Sequence, residues 1–198
     1  MQNLGNRIKT YYEDRYRIYL TRRTPVIIRL DGKAFHTLTR KFEKPFCIKF
    51  IDSMTETAIT LCKNIQNVQC AYVQSDEISL FLKDYSELTT EAWFDYNVQK
   101  MASVSAAIAT SVFKDSMNIK NLVSFDSRVF NIPKEEVCNY FIWRQKDWVR
   151  NSVNMLAQSN FSHKELQGKS ISKVHDMLHT KNINWADLEP CLEWDFCS

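Results

Sequence analysis

Two apolar, β-branched runs that each deliver a carboxylate to a turn constrain this chain most. They are Pro25-Val26-Ile27-Ile28-Arg29-Leu30-Asp31-Gly32 and Ala71-Tyr72-Val73-Gln74-Ser75-Asp76-Glu77-Ile78-Ser79-Leu80-Phe81-Leu82. In the first, Asp31-Gly32 closes a strand. In the second, Ser75-Asp76-Glu77 sits between two apolar runs and reads as a tight hairpin corner. Two buried strands that both end in acids can bring those acids together. Like charges a few Å apart repel, so such a cluster normally holds a cation. Oxygen ligands without His or Cys at ligand spacing point to Mg²⁺ rather than zinc. The expectation is a two-metal phosphoryl-transfer site.

The rest of the chain frames these runs. Leu4, Ile8, Tyr11, Tyr12, Arg15 and Ile18 recur at helical spacing, which predicts an amphipathic helix over 3–20. A strand over 25–31 and a loop over 32–45 come next, then a helix over 46–64 with a buried stripe. Strands are predicted at 68–74 and 78–83, a long helix from Thr90 to about Phe113, and a strand over 122–132. Pro133-Lys134-Glu135-Glu136 starts a helix that runs to about Gln158, with proline and acids in the first turn. A loop and two short helices end near Asn182. The order over 25–132 is βαββαβ, the ferredoxin-like split arrangement of an α+β fold. That topology puts the first and third strands side by side in the sheet centre, with Asp31 facing the Asp76-Glu77 corner. We expect one catalytic domain over 1–198, with a core at about 24–132 and a helical extension at about 133–198.

Composition agrees with a globular chain. Of 198 residues, 44% are apolar and 25% charged, with only three glycines and four prolines, which excludes a disordered chain. The net charge of +3 does not by itself demand a polyanionic partner. Its distribution is more suggestive: Arg15, Arg17, Arg22, Arg23, Arg29, Lys33, Arg40, Lys41, Lys44 and Lys49 make the first quarter basic, and Asp187, Glu189, Glu193 and Asp195 make the end acidic. A basic patch beside an acidic metal site suits a polyanionic substrate, and a solvated surface with ordinary ion pairs accounts for the charges equally well. Cysteines 47, 62, 70, 138, 191 and 197 form no Cys-x-x-Cys pair. The N-terminus has no apolar signal region and no run reaches membrane-spanning length. Together these predict a reducing, cytoplasmic setting and no membrane.

Asp31 and Asp76 are the expected metal ligands, with two ions about 3.5–4 Å apart activating the attacking hydroxyl and stabilising the leaving oxygen. Plain turn residues are the alternative. Glu77 is a third ligand, a base beside the ligands, or a solvated side chain. Gly32 allows close backbone approach, and its carbonyl could ligate. Lys33, Ala34, Phe35 and His36 offer donors and an aromatic face to a nucleotide; core packing of Phe35 is the alternative. Lys44, Lys100 and Arg128 suit a triphosphate, whose developing charge needs fixed cations. Each is otherwise a surface cation. Ser75 bonds a phosphate or caps the corner.

Read together, Arg29-Leu30-Asp31-Gly32-Lys33-Ala34-Phe35-His36 and Ala71-Tyr72-Val73-Gln74-Ser75-Asp76-Glu77-Ile78-Ser79 resemble the tRNA-His guanylyltransferase superfamily. Lys44-Pro45, Phe125-Asp126-Ser127-Arg128, Trp143-Arg144-Gln145-Lys146-Asp147 and Leu166-Gln167-Gly168 follow in family order over nearly the whole chain. The resemblance implies a polymerase-palm-like core, two Mg²⁺ ions, ATP and GTP or other nucleoside triphosphates as substrates, tRNA as partner, a homotetramer, and RNA extension in the 3′-to-5′ direction. It assigns metals to Asp31, the Gly32 carbonyl and Asp76, with Glu77 beside them, and nucleotide to residues 31–36, Lys44, Ser75, Asp76, Lys100 and Arg128.

Two segments depart from the family pattern. Where tRNA-His enzymes carry His-Ile-Asn-Asn-Leu-Tyr-Asn, this chain reads Trp148-Val149-Arg150-Asn151-Ser152-Val153-Asn154, with Arg150 and Asn151 as candidate RNA contacts. That variant resembles the guanylyltransferase-like branch, which repairs 5′-truncated tRNAs against the opposite strand. Cys191 to Ser198 also differs from the family's basic, glycine-containing end. The leading expectation is therefore templated 5′-end repair, ahead of untemplated addition of G to tRNA-His. An RRM-type RNA-binding module on the same frame is disfavoured by the absence of its aromatic strand pattern. A nucleotide cyclase is disfavoured by the absence of glycine in Gln74-Ser75-Asp76-Glu77.

Overall fold

The computed structural model describes residues 3–44 and 46–187. Pro45, the acids at 189, 193 and 195, the cysteines at 191 and 197, and the Cys191–Ser198 segment lie outside the described residues.

The sheet consists of β1 (Val26–Gly32), β2 (Val68–Gln74), β3 (Glu77–Leu82) and β4 (Phe125–Asn131), in the antiparallel order β2-β3-β1-β4. β1 and β3 are central, as the βαββαβ order requires. Strand alternation sends Val26, Ile28 and Leu30 to one face, where they are fully buried with residues of α3 (Ile48–Asn64) and α4 (Val98–Met117). Arg29, Asp31, Glu77 and Ser79 take the other face. There α5 (Val137–Asn160) contributes Tyr140, whose hydroxyl lies 2.7 Å from Ser79 Oγ, and Arg144. A second apolar cluster joins Val153, Leu156 and Ala157 of α5 to Val174 and Leu178 of α7 (Ile171–Thr180), beyond the short α6 (His163–Leu166).

Three boundaries differ from expectation for physical reasons. The N-terminal segment is α-helical only over α1 (Leu4–Ile8). It continues as a π turn, Lys9–Glu13, and a 3-10 turn, Asp14–Tyr16, with no buried residue in any of the three. An apolar stripe without a packing partner does not hold a long regular helix. The helix expected from Thr90 starts at Val98, because the Asn97 side chain accepts the Lys100 N–H at 3.0 Å as its N-cap. The loop over 32–45 contains α2 (Phe35–Thr39), entered through Ala34 at φ 57°.

Candidate active site

The acids meet where β1 ends and β3 begins. Asp31 is the cross-strand partner of Glu77 on one side and of Asp126 on the other. The Gly32 N–H donates to the Asp76 carbonyl at 3.0 Å, which ties the end of β1 to the turn that carries Asp76. Ser75 opens that turn at φ 52°, a left-handed conformation that costs a non-glycine residue roughly 1–3 kcal/mol and persists only where its surroundings fix it.

The electrostatics fit a cation. Burial pushes the Asp76 carboxyl up, and the charge of Asp31 adds to the rise against hydrogen bonds within the turn. No lysine or arginine ion-pairs with Asp76 among the described residues. Asp31 has a distant counter-ion: Arg128 Nη2 lies 3.9 Å from its carboxylate and 3.5 Å from that of Asp126. No group of three or more His, Cys, Asp or Glu side chains that could hold a metal occurs among the described residues. The groups on offer to a cation at this corner are the Asp31 and Asp76 carboxylates and backbone oxygen. That suits Mg²⁺, which is usually bound through one or two carboxylates completed by substrate phosphates and water.

Glu77 is committed elsewhere. Its side chain is buried, with Arg144 Nε 2.8 Å from Oε1 and Arg29 Nε 3.8 Å from Oε2. The Arg144 contact is an ion pair whose Nε–H is not directed at the oxygen. Burial raises the Glu77 carboxyl, and Arg144 and Arg29 oppose the rise. On the same helix, Arg144 Nη2 donates to Asp147 Oδ2 at 3.0 Å. The guanidinium lies over the Trp143 ring, 4.3 Å from its centroid.

An open groove of about 1100 Å³ runs from the acids between α3 and α5. His36, Lys44, Ser75 and Asp76 line its acidic end, and Arg144, Asp147 and Asn151 line the α5 wall. Phe42, Phe50, Ile51, Ile59, Trp148 and Met155 give it apolar surface. Charged groups at one end and apolar walls beyond them match what a nucleotide needs.

The family model described as Thg1, tRNAHis guanylyltransferase, matches residues 5–133, more than half of the chain. The chain belongs to the tRNAHis guanylyltransferase family. It is thereby an enzyme of the nucleotidyltransferase, tRNA-processing class. Among solved structures it is similar to a bacterial tRNA(His) guanylyltransferase (Thg1)-like protein in complex with ATP. The TM-score is 0.92 and the identity 46%, over 96% of this chain and 86% of that one. A bacterial Thg1-like protein in complex with GTP gives a TM-score of 0.85 and 42% identity, over 96% and 81%. The tRNA(His) guanylyltransferase of Schizosaccharomyces pombe is 28% identical over 187 residues, 84% of this chain and 69% of that protein.

Within this family fold, the expected site residues divide. Asp31, His36, Lys44, Ser75, Asp76, Glu77 and Asn151 line one groove. Arg128 stands beside Asp31, and Arg150 is exposed and ion-paired to Asp147. Lys33 donates its backbone N–H to Ser124 O at 2.9 Å, and the left-handed Ala34 aims the chain into α2.

Two expectations need correction. The Phe35 ring is 2% exposed, packed against Phe50, Phe113 and Phe125, and offers no face to a nucleotide. It also explains Gly32: a Cβ there would lie 2.4–2.7 Å from the Phe35 ring carbons, so the close approach that glycine permits is by this ring. Lys100 lies in the first turn of α4, which packs on the sheet face opposite to Asp31. Its Nζ is exposed above the Phe94 ring at 5.8 Å, so the sheet separates it from the acids.

Arg144 and Asp147 gained no role from sequence reasoning. Their signal was helical phase: Tyr140, Arg144, Asp147 and Asn151 fall on one face of α5, and two charges on an inward face call for partners. No helix among the described residues is long and apolar enough to cross a membrane.

Proposed function

We propose that the protein adds nucleotides to the 5′ end of tRNA in the 3′-to-5′ direction, choosing each nucleotide by pairing to the opposite strand. The observation that carries this reading is the juxtaposition of Asp31 and Asp76 at adjoining turns, opening onto one groove with cations beside them. Asp31, the Gly32 carbonyl and Asp76 would hold two Mg²⁺ ions. Bound there, the metal supplies Lewis-acid activation of a hydroxyl and charge neutralisation on phosphoryl oxygens.

This chain's own groups do the rest. Lys44 and Arg128 place positive charge where phosphoryl oxygens gain charge. His36 and Ser75 offer donors to phosphate or sugar, and the apolar walls exclude water from the base. A 5′-monophosphate end is first joined to AMP from ATP, with pyrophosphate leaving. The 3′-hydroxyl of the incoming nucleotide then attacks that activated phosphate and AMP leaves. A 5′-triphosphate end needs no activation. The reading takes residues 1–198 as one catalytic domain acting as a homotetramer in the cytoplasm.

Templating is favoured because contacts to phosphate and metal carry no base information. Arg150 and Asn151 fall in the α5 segment that replaces the run typical of tRNA-His enzymes, and Asn151 lines the groove. The test places each of the four bases opposite the missing 5′ position of a truncated tRNA and reads which nucleotide is incorporated. Incorporation that follows the template is expected. Addition of G whatever the template, confined to tRNA-His, refutes templated repair.

A further inference from the structure

The turn that bears Asp76 is gripped from both sides by one pair of residues on α5. Glu77, which follows Asp76, is ion-paired to Arg144, Nε to Oε1 at 2.8 Å. Gln74, which precedes Ser75, extends its Nε2 toward Asp147 Oδ2 at a long 3.5 Å. Arg144 and Asp147 are joined to each other at 3.0 Å, one turn apart on the helix. Gln74 and Glu77 are themselves the cross-strand pair that closes the hairpin. The clamp therefore meets both strands of the hairpin at the two residues where Ser75-Asp76 begins and ends.

Burial makes this costly. Arg144 is 6% exposed, Glu77 9% and Gln74 5%. Buried ion arrays of this kind do not outperform apolar packing as stabilisers, and their best-attested use is to specify one arrangement. Here the arrangement specified includes Ser75 at φ 52°, which needs its flanks fixed. Arginine suits the task because its extended planar cation sets charge against Glu77 at Nε while Nη2 donates to Asp147, whereas a lysine ammonium is a single point charge. Trp143 on the guanidinium face restricts the fork further.

We infer that Arg144 and Asp147 are positioning residues: they act as one unit that fixes the Asp76 turn so that its carboxylate is set against Asp31. The inference rests on the metal-site reading of Asp31 and Asp76. Because Asp147 and Asn151 line the same groove, the clamp also joins the wall that faces a nucleotide to the turn that faces its phosphates.

The test uses the full chain and three variants, Arg144→Lys, Asp147→Asn and the double variant. Free Mn²⁺ is titrated against the protein by electron paramagnetic resonance without ATP, which would itself chelate the ion, and thermal stability is recorded in parallel. Each single variant is expected to weaken Mn²⁺ binding about tenfold, the low end of what removing a group that orients a metal ligand costs. The double variant should be no weaker than the worse single one, since residues acting as a unit are not additive. Asp147→Asn keeps the Arg144–Glu77 pair, so it reports on the clamp even where Arg144→Lys fails to fold. Wild-type Mn²⁺ affinity in a folded Asp147→Asn variant overturns the clamp, as does a loss of thermal stability with metal affinity untouched, or additive losses in the double variant. Absence of Mn²⁺ binding by the wild-type protein instead refutes the metal-site reading, and the clamp falls with it.

Discussion

Gly32→Ala is expected to destabilise the protein without touching any polar group of the site. The added methyl would lie 2.4, 2.5 and 2.7 Å from three Phe35 ring carbons, against the roughly 3.5–4.0 Å at which carbon atoms attract. The ring has nowhere to retreat. Phe113 and Phe125 have their centroids 5.1 and 5.0 Å from it, and Phe50 closes a third side at 6.3 Å. Overpacking of a filled core costs about 1–3 kcal/mol, and a three-atom clash against an immobile ring belongs at the upper end. For a chain of this size about 3 kcal/mol lowers Tm by roughly 6–12 °C. Differential scanning calorimetry and urea unfolding measure it. Phe35→Leu costs stability of its own but removes the ring, so Gly32→Ala added to Phe35→Leu should cost almost nothing more. A Gly32→Ala variant with wild-type Tm, or a full additional cost in the Phe35→Leu background, refutes the assignment of Gly32 to the close approach of this ring.

Tyr140→Phe removes the 2.7 Å hydroxyl contact with Ser79 beneath Glu77. It should cost about 1 kcal/mol in urea unfolding, and no change in midpoint would contradict a formed bond. The pH dependence of stability carries a definite sign. Burial raises both the Asp76 and Glu77 carboxyls above their ordinary 3.8 and 4.5, so the contribution of these groups is fully present below those values and is lost as pH rises through the raised ones. A divalent cation binds ionised Asp76 together with Asp31 and offsets the Asp76 part of that loss, so Mg²⁺ should raise Tm clearly at neutral pH and little below the ordinary Asp76 value of 3.8. Equal shifts at both pH values would count against the acids as the site.

The central sheet was legible because its signals are local. β-branched runs at 26–32, 68–74 and 77–82 end in turn residues, and the βαββαβ order alone sets β1 beside β3. That adjacency brought Asp31 and Asp76 together before any side chain was placed. What stayed hidden depends on which face of an element a residue meets. Lys100 was read by its charge, but α4 carries it behind the sheet. Phe35 was read by its neighbours in sequence, yet three rings from α3, α4 and β4 surround it. The Arg144–Glu77 pair joins residues 67 positions apart, and no spacing rule reaches that far. The short α1 reflects the same limit, since its apolar spacing was correct and its partner surface is lacking among the described residues.

The most direct test of the account is nucleotide addition to a 5′-truncated tRNA by the wild-type protein, Asp31→Ala and Asp76→Ala, each across a Mg²⁺ titration and with circular dichroism to confirm folding. The account predicts Mg²⁺-dependent addition by the wild-type protein and none by either folded variant. Near-normal, Mg²⁺-dependent turnover in either variant would contradict it.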